Sequence, residues 1–145
     1  MLVLNEVWVF SPDGGTVLMC KRHKDPYIGM YILPGGKVEP NEDGLAAAYR
    51  ELQEESGIKS IDLTQGLRHL MDFTYYETKF QGVKCDMRLE VYVGRLRSYV
   101  DVAGDEKELL WVSVNEDFFD MTKFGGEGNI GHMYEQLKLR PVLMQ

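Results

Sequence analysis

GKVEPNEDGLAAAYRELQEESGI, residues 36–58, reads as a glycine turn that leads into one short helix. It sets six carboxylates against only Lys37 and Arg50, so the segment calls for a cation. The helix is expected to begin after Asp43, whose carboxylate can accept from a first-turn amide, and to stop at Gly57, the residue favoured just past a helix end. Leu45, Ala48, Tyr49 and Leu52 share one face and should dock on a sheet. Glu51, Glu54 and Glu55 fall three and four residues apart, within an arc of about 100°. Three ionised carboxylates held that close repel one another, and a hard divalent cation relieves the repulsion. Oxygen-only ligands at this density suit Mg²⁺ or Mn²⁺ better than zinc. Mg²⁺ shares its shell readily with substrate phosphates, so the implied partner is a small polyphosphate. Taken from Glu51 to Glu55 alone, a solvated acidic helix face paired through Arg50 and Glu54 explains the charges equally well.

The rest of the chain limits the choices. Its 145 residues suit one domain, 1–145, large enough to build a core without a disulfide or metal staple. A formal charge of −7 argues against a protein that lives on nucleic acid duplexes, which carries a basic face. Cys20 and Cys85 are too few for a disulfide framework or a zinc site, which fits a reducing cytoplasm. The opening MLVLNEVWVF is short and carries Glu6, so it reads as a strand rather than a signal peptide, and no membrane span is evident.

Val3 to Phe10 and Thr16 to Arg22 look like two strands of a hairpin around the turn cluster SPDGG. Tyr31 to Leu33 is a short apolar run. Leu67 to Glu77 is strand-like, 79–82 is a turn, and Cys85, Met87, Leu89, Val91 and Val93 alternate with polar residues as in a half-buried strand. Leu109 to Val114 is a further strand, followed by a short helix near 115–119 and a terminal helix from Ile130 to Leu139. Strands flanking two substantial helices fit an α/β sandwich.

Written as G-x5-E-x7-R-E-U-x-E-E-x-G-U, with U apolar, every fixed place is filled, by Gly36, Glu42, Arg50, Glu51, Leu52, Glu54, Glu55, Gly57 and Ile58. Residues 36–58 thus resemble the Nudix hydrolase box without departure. Seven fixed identities arise by chance on the order of once in 10⁹ start positions at about 6% usage per residue type, which sets the solvated-face reading aside. The resemblance implies an α/β/α sandwich with a mixed β-sheet between helices, and Mg²⁺-dependent hydrolysis of a pyrophosphate bond in a nucleoside diphosphate derivative. It makes Glu54 and Glu55 the principal metal ligands, Glu51 a ligand or the proton acceptor for the attacking water, and the carbonyl of Gly35 or Gly36 a further ligand. Glu42 and Arg50 would pair with each other or orient the catalytic glutamates, and Gly57 would end the helix.

In detail, Gly35 to Val38 and Arg50 to Gly57 are similar to the MutT-like branch, which implies a nucleoside triphosphate cut to a monophosphate and pyrophosphate, with oxidised purines such as 8-oxo-dGTP as substrates. In that branch Glu106 would be an added ligand or base, against a plain loop carboxylate. Asn129 would read a purine edge, against a helix cap. Arg22 would meet phosphate, against a surface arginine with its stem on the sheet. Tyr75 and Tyr76 are similar to a tyrosine of the Nudix members that cleave dinucleoside polyphosphates. On an alternating strand only one of the two can be a stacking platform. Trp8, Phe73 and Trp111 read as core. A non-catalytic nucleotide sensor on the same fold is a third reading, and the three intact box glutamates weigh against it.

Overall fold

The computed structural model describes residues 1–104 and 108–145. The mixed sheet is built around β1 (Leu2–Phe10), which runs parallel to β6 (Val83–Arg95) over its full length, from Leu2 opposite Met87 to Phe10 opposite Arg95. β6 pairs antiparallel with β5 (Arg68–Phe80) on its outer side. The other edge of β1 forks: its first half pairs with β4 (Gly35–Lys37), and Phe10 pairs with Val17 of β2 (Thr16–Lys21). β2 in turn carries β3 (Tyr31–Ile32) and β7 (Glu108–Ser113). The expected hairpin of the first two strands therefore exists only at its turn. Beyond Val17 that edge of β2 passes to β3, while β7 takes the opposite edge, and β4 fills the fork left beside β1.

The two faces of β1 feed two cores, because successive side chains on a strand point opposite ways. Trp8 and Phe10 pack with Val91, Val93, Ile130, Met133 and Leu137 under helix α2 (Asn129–Leu139). Val7 and Val9 pack with Leu18, Tyr92, Ala48 and Leu52 under helix α1 (Gly44–Ser56). This is the α/β/α sandwich that the sequence implied, with a helix on either side of a mixed sheet. Trp8 anchors the α2 side: its indole N–H donates to the Met133 sulfur at 3.5 Å, and its ring stacks on Tyr134 at 5.7 Å. Phe73 is half-buried against the same core, and Trp111 against the other, so all three aromatics pack as expected.

Helix α1 starts and stops where its sequence directs. The Asp43 carboxylate accepts from the Leu45 amide at 3.1 Å, and Gly57 takes a left-handed φ of 80° while its amide closes the last turn on the Gln53 carbonyl. The buried face is Ala47, Ala48, Leu52 and Ser56, whereas Leu45, expected to dock, stands 36% exposed. Leu45 lies on nearly the same line of the helix as Leu52 but two turns earlier, in the first turn, where it is only partly covered. The β5–β6 connection is tighter than expected: Gln81 and Gly82, with φ of 51° and 81°, make the whole turn. No helix forms at 115–119. There the Ser113 hydroxyl accepts from the Asn115 amide and the Asp117 carboxylate from the Phe119 amide, local bonds that compete with a helical ladder.

Leu52 is fully buried between α1 and the sheet. Leu52→Ala should lower stability by about 3 kcal/mol through lost burial and the cavity left behind. A shift in the urea midpoint equivalent to less than about 1 kcal/mol would show that α1 does not depend on this contact.

Candidate active site

The site begins at the fork of the sheet. Gly35 lies opposite Glu6 on β1, and a Cβ there would sit 2.0 Å from the Asn5 carbonyl oxygen. Only glycine allows β4 to approach so closely. A Cβ on Gly36 would sit 2.3 Å from the Glu51 carboxyl carbon, so the glycine turn forms a cradle against which that carboxylate rests. The Gly36 amide donates to Asn5 Oδ1 and the Gly35 amide to Glu55 Oε2, both at 3.0 Å. The two glycines thus join β1, β4 and α1 at one point.

Arg50 organises the remaining acids. Its guanidinium donates to both oxygens of Glu42 at 2.7 Å, to Glu51 at 3.0 Å, to Glu54 at 3.2 Å and to the Lys37 carbonyl at 3.1 Å. The same side chain thus pairs with Glu42 and bonds two of the box glutamates. Glu42 is held down to a pKa of about 2, first by its bonds to Arg50 and then by the Glu39 amide. Burial pushes the Glu51 carboxyl above the usual carboxylate range, and neighbouring Glu55 and Glu54 add to this against the pull of Arg50. Among the described residues no three His, Cys, Asp or Glu side chains are gathered as a ready-made cation site. Arg50 draws Glu51 and Glu54, while Glu55 is turned onto the Gly35 amide.

On the opposite face of β1 a cavity of about 300 Å³ opens between the sheet and the start of α2, with Glu6, Tyr27, Tyr75, Asn129 and Met133 in its wall. Tyr75 is half-buried there and accepts from the Asn129 amide, while Tyr76 is 75% exposed, which is the division expected of neighbours on a strand. Asn129 is the first residue of α2, whose cap is Gly128, so its side chain is not a cap. Tyr27 donates to Glu127 across the cavity rim. Arg22 is placed elsewhere: its Nε donates to the carbonyls of Pro26 at 2.6 Å and Lys24 at 3.3 Å, which pins the 24–26 loop. Glu106 lies outside the described residues.

The sequence reading passed over Asn5 and Glu6. Their signal was a polar pair interrupting an apolar strand, LVLNEVWVF. Asn5 faces the glycine turn and Glu6 the cavity. Burial raises the Glu6 carboxyl to a pKa of about 7.

A depressed folded pKa gives stability that is fully present above the unfolded value and is lost as pH falls through the folded one. The Glu42 contribution should therefore fade between pH 4.5 and about 2. Glu42→Gln protein should start less stable at pH 7 and lose less on acidification through that window. Equal losses in urea titrations of the two proteins would remove the ion pair as a source of acid sensitivity.

The sequence matches the NUDIX domain over residues 6–128. It is 36% identical over 117 residues to a Mycobacterium tuberculosis protein described as "Putative 8-oxo-dGTP diphosphatase 2", covering 79% of this chain and 77% of that one. It is 33% identical over 95 residues to an RNA pyrophosphohydrolase of Bartonella tribocorum, covering 65% of this chain and half of that protein. The fold is that of a MutT protein from Methanosarcina mazei, with a TM-score of 0.72 at 19% identity over 96% of this chain and 94% of that one. With the box set on a sheet fork and the sandwich built around it, the chain belongs to the Nudix family of pyrophosphohydrolases, enzymes that act on acid anhydrides.

Proposed function

We propose that the chain, acting as one Nudix domain over 1–145, is an Mg²⁺-dependent cytoplasmic hydrolase of nucleoside triphosphates. It would yield a nucleoside monophosphate and pyrophosphate and prefer oxidised guanine nucleotides such as 8-oxo-dGTP. The observation that carries this reading is the rung where Glu6 faces Gly35: the cavity lies on one side of it and the box carboxylates on the other. A base in the cavity would lead its phosphates to the glycine turn. The 79% overlap with the Mycobacterium tuberculosis relative supports the same substrate class.

The donor set fits a hard cation. Glu51, Glu54, Glu55 and the carbonyl of Gly35 or Gly36 offer only oxygen, and the Gly36 cradle, which a Cβ would fill, keeps the Glu51 carboxylate against the turn. Bound Mg²⁺, or Mn²⁺ in its place, would neutralise and polarise the phosphoryl oxygens, which matters in a chain of net charge −7. Glu51 would take the proton of the attacking water, and Glu54 and Glu55 would hold the cation. Arg50 would keep Glu51 and Glu54 aimed along α1, as its bonds to both already do. Tyr75 and Asn129 would contact the base from the cavity wall. Arg22 would act on substrate only through the loop it holds, and Glu106 would add a carboxylate from beyond the box.

The alternative substrate class, a dinucleoside polyphosphate, calls for platforms for two bases. Tyr75 lines the cavity, whereas Tyr76 is exposed and is not part of its wall.

Purified protein with Mg²⁺ should release pyrophosphate and a monophosphate from triphosphates, fastest from oxidised guanine nucleotides. Orthophosphate release, or activity confined to dinucleoside polyphosphates, would overturn the reading. Glu54→Gln should lower kcat by roughly a hundredfold or more with the fold intact. Unchanged turnover in that variant would place the chemistry outside the box.

A further inference from the structure

β1 places one ionisable group in the cavity wall that none of the box chemistry uses. Glu6 shares its face of the strand with Leu4 and Trp8, away from α1, and its Oε2 is buried without a hydrogen-bond partner among the described residues. A buried acceptor left unpaired costs free energy in the folded protein, so its retention points to a ligand that supplies the donor. The other polar groups of the wall are already paired in part. Tyr27 donates to Glu127, and Asn129 uses one of its two amide hydrogens on Tyr75, which leaves Asn129 Oδ1 as an acceptor and the Tyr75 hydroxyl hydrogen as a donor. The apolar remainder, including Leu4, Leu89, Ile130 and Met133, provides surface for a flat ring.

Thr78 and Lys79 also reach this wall, and Glu6 Oε2 is its one buried side-chain polar atom without a partner among the described residues. We propose that Glu6 is the specificity-determining residue of the cavity, its carboxylate accepting from two adjacent N–H donors on one edge of a guanine-type base. Guanine offers such a pair in N1–H and its exocyclic amine, and its carbonyl oxygen matches the hydrogen of Tyr75. Adenine offers one exocyclic amine beside a bare ring nitrogen, whose lone pair would face a carboxylate oxygen. The inference rests on the nucleoside triphosphate reading above and names the base that this reading accepts.

The test uses binding as well as turnover. Calorimetric titration of the wild-type protein with guanosine, inosine and adenosine monophosphates should show guanosine bound about tenfold or more tighter than the other two, since inosine lacks the exocyclic amine and adenosine sets its amine beside a bare ring nitrogen instead of a second donor. Glu6→Gln keeps the shape but replaces one acceptor with a donor. It should reduce the guanine-to-adenine ratio by about tenfold, in monophosphate affinity and in kcat/KM for the triphosphates. Equal affinity of the wild-type protein for guanosine and inosine monophosphates would overturn the assignment without needing any variant. So would a Glu6→Gln protein that loses all substrates in equal measure. If no triphosphate is hydrolysed at all, the functional reading fails separately, and the monophosphate titrations still decide whether Glu6 reads a guanine edge.

Discussion

The approach of Gly35 and Gly36 to their neighbours is the constraint on which the rest of the structure depends. At Gly35 the backbone of β4 lies against the Asn5 carbonyl with no room for a Cβ, and at Gly36 a Cβ would displace the Glu51 carboxylate from the turn. Strand, turn and helix must therefore arrive together. The fork in β1 makes the opening: had β2 kept its partner beyond Phe10, β4 could not have entered the sheet. The amide of Gly35 then fixes Glu55, and the amide of Gly36 fixes Asn5.

Electrostatics at the box follows from that geometry. α1 holds its glutamates on a face without other basic residues, and a single guanidinium serves three of the acids at once. Arginine is suited to this because its planar fork offers five N–H donors in fixed directions, which a lysine could not reproduce. The exposed Arg50–Glu54 pair adds little stability by itself. Its worth lies in aim, since a side chain held in one direction need not be ordered when substrate arrives. The elevated Glu51 carboxyl, caught between burial and like charges, marks where an added positive charge would be most favoured.

Much of this was legible in the sequence, and where it was not the reasons are local. The limits of α1 followed from Asp43 and Gly57, because caps are short-range chemistry. The layer order followed from the box. The partner of each strand did not, since Thr16 to Lys21 reads the same whether it pairs with β1 or with β7. Leu45 was misplaced because periodicity gives the face of a helix but not how far along it the neighbouring layer extends. Residues 115–119 carry helix-compatible apolar residues, yet the side chains of Ser113 and Asp117 capture the amides a helix would need. At the site, the box glutamates and Arg50 were found because they lie within one helix. Tyr75 and Asn129 were named through the resemblance, but Glu6 and Tyr27 reach the same cavity from positions far apart in the chain, and no pattern in a single sequence links them.

The alternation of Asn5 and Glu6 on one strand has an evolutionary meaning. Asn5 supports the glycine turn on one side of the sheet, while Glu6 forms part of a pocket walled largely by the 26–27 loop, β5 and α2 on the other. Substitutions among the pocket residues would leave the turn, the guanidinium network and α1 untouched, because a strand's two faces share no side chains. The catalytic half can therefore stay fixed while the range of bases accepted drifts. A lineage built on this sandwich could exchange one nucleotide for another without rebuilding the means by which it cuts them.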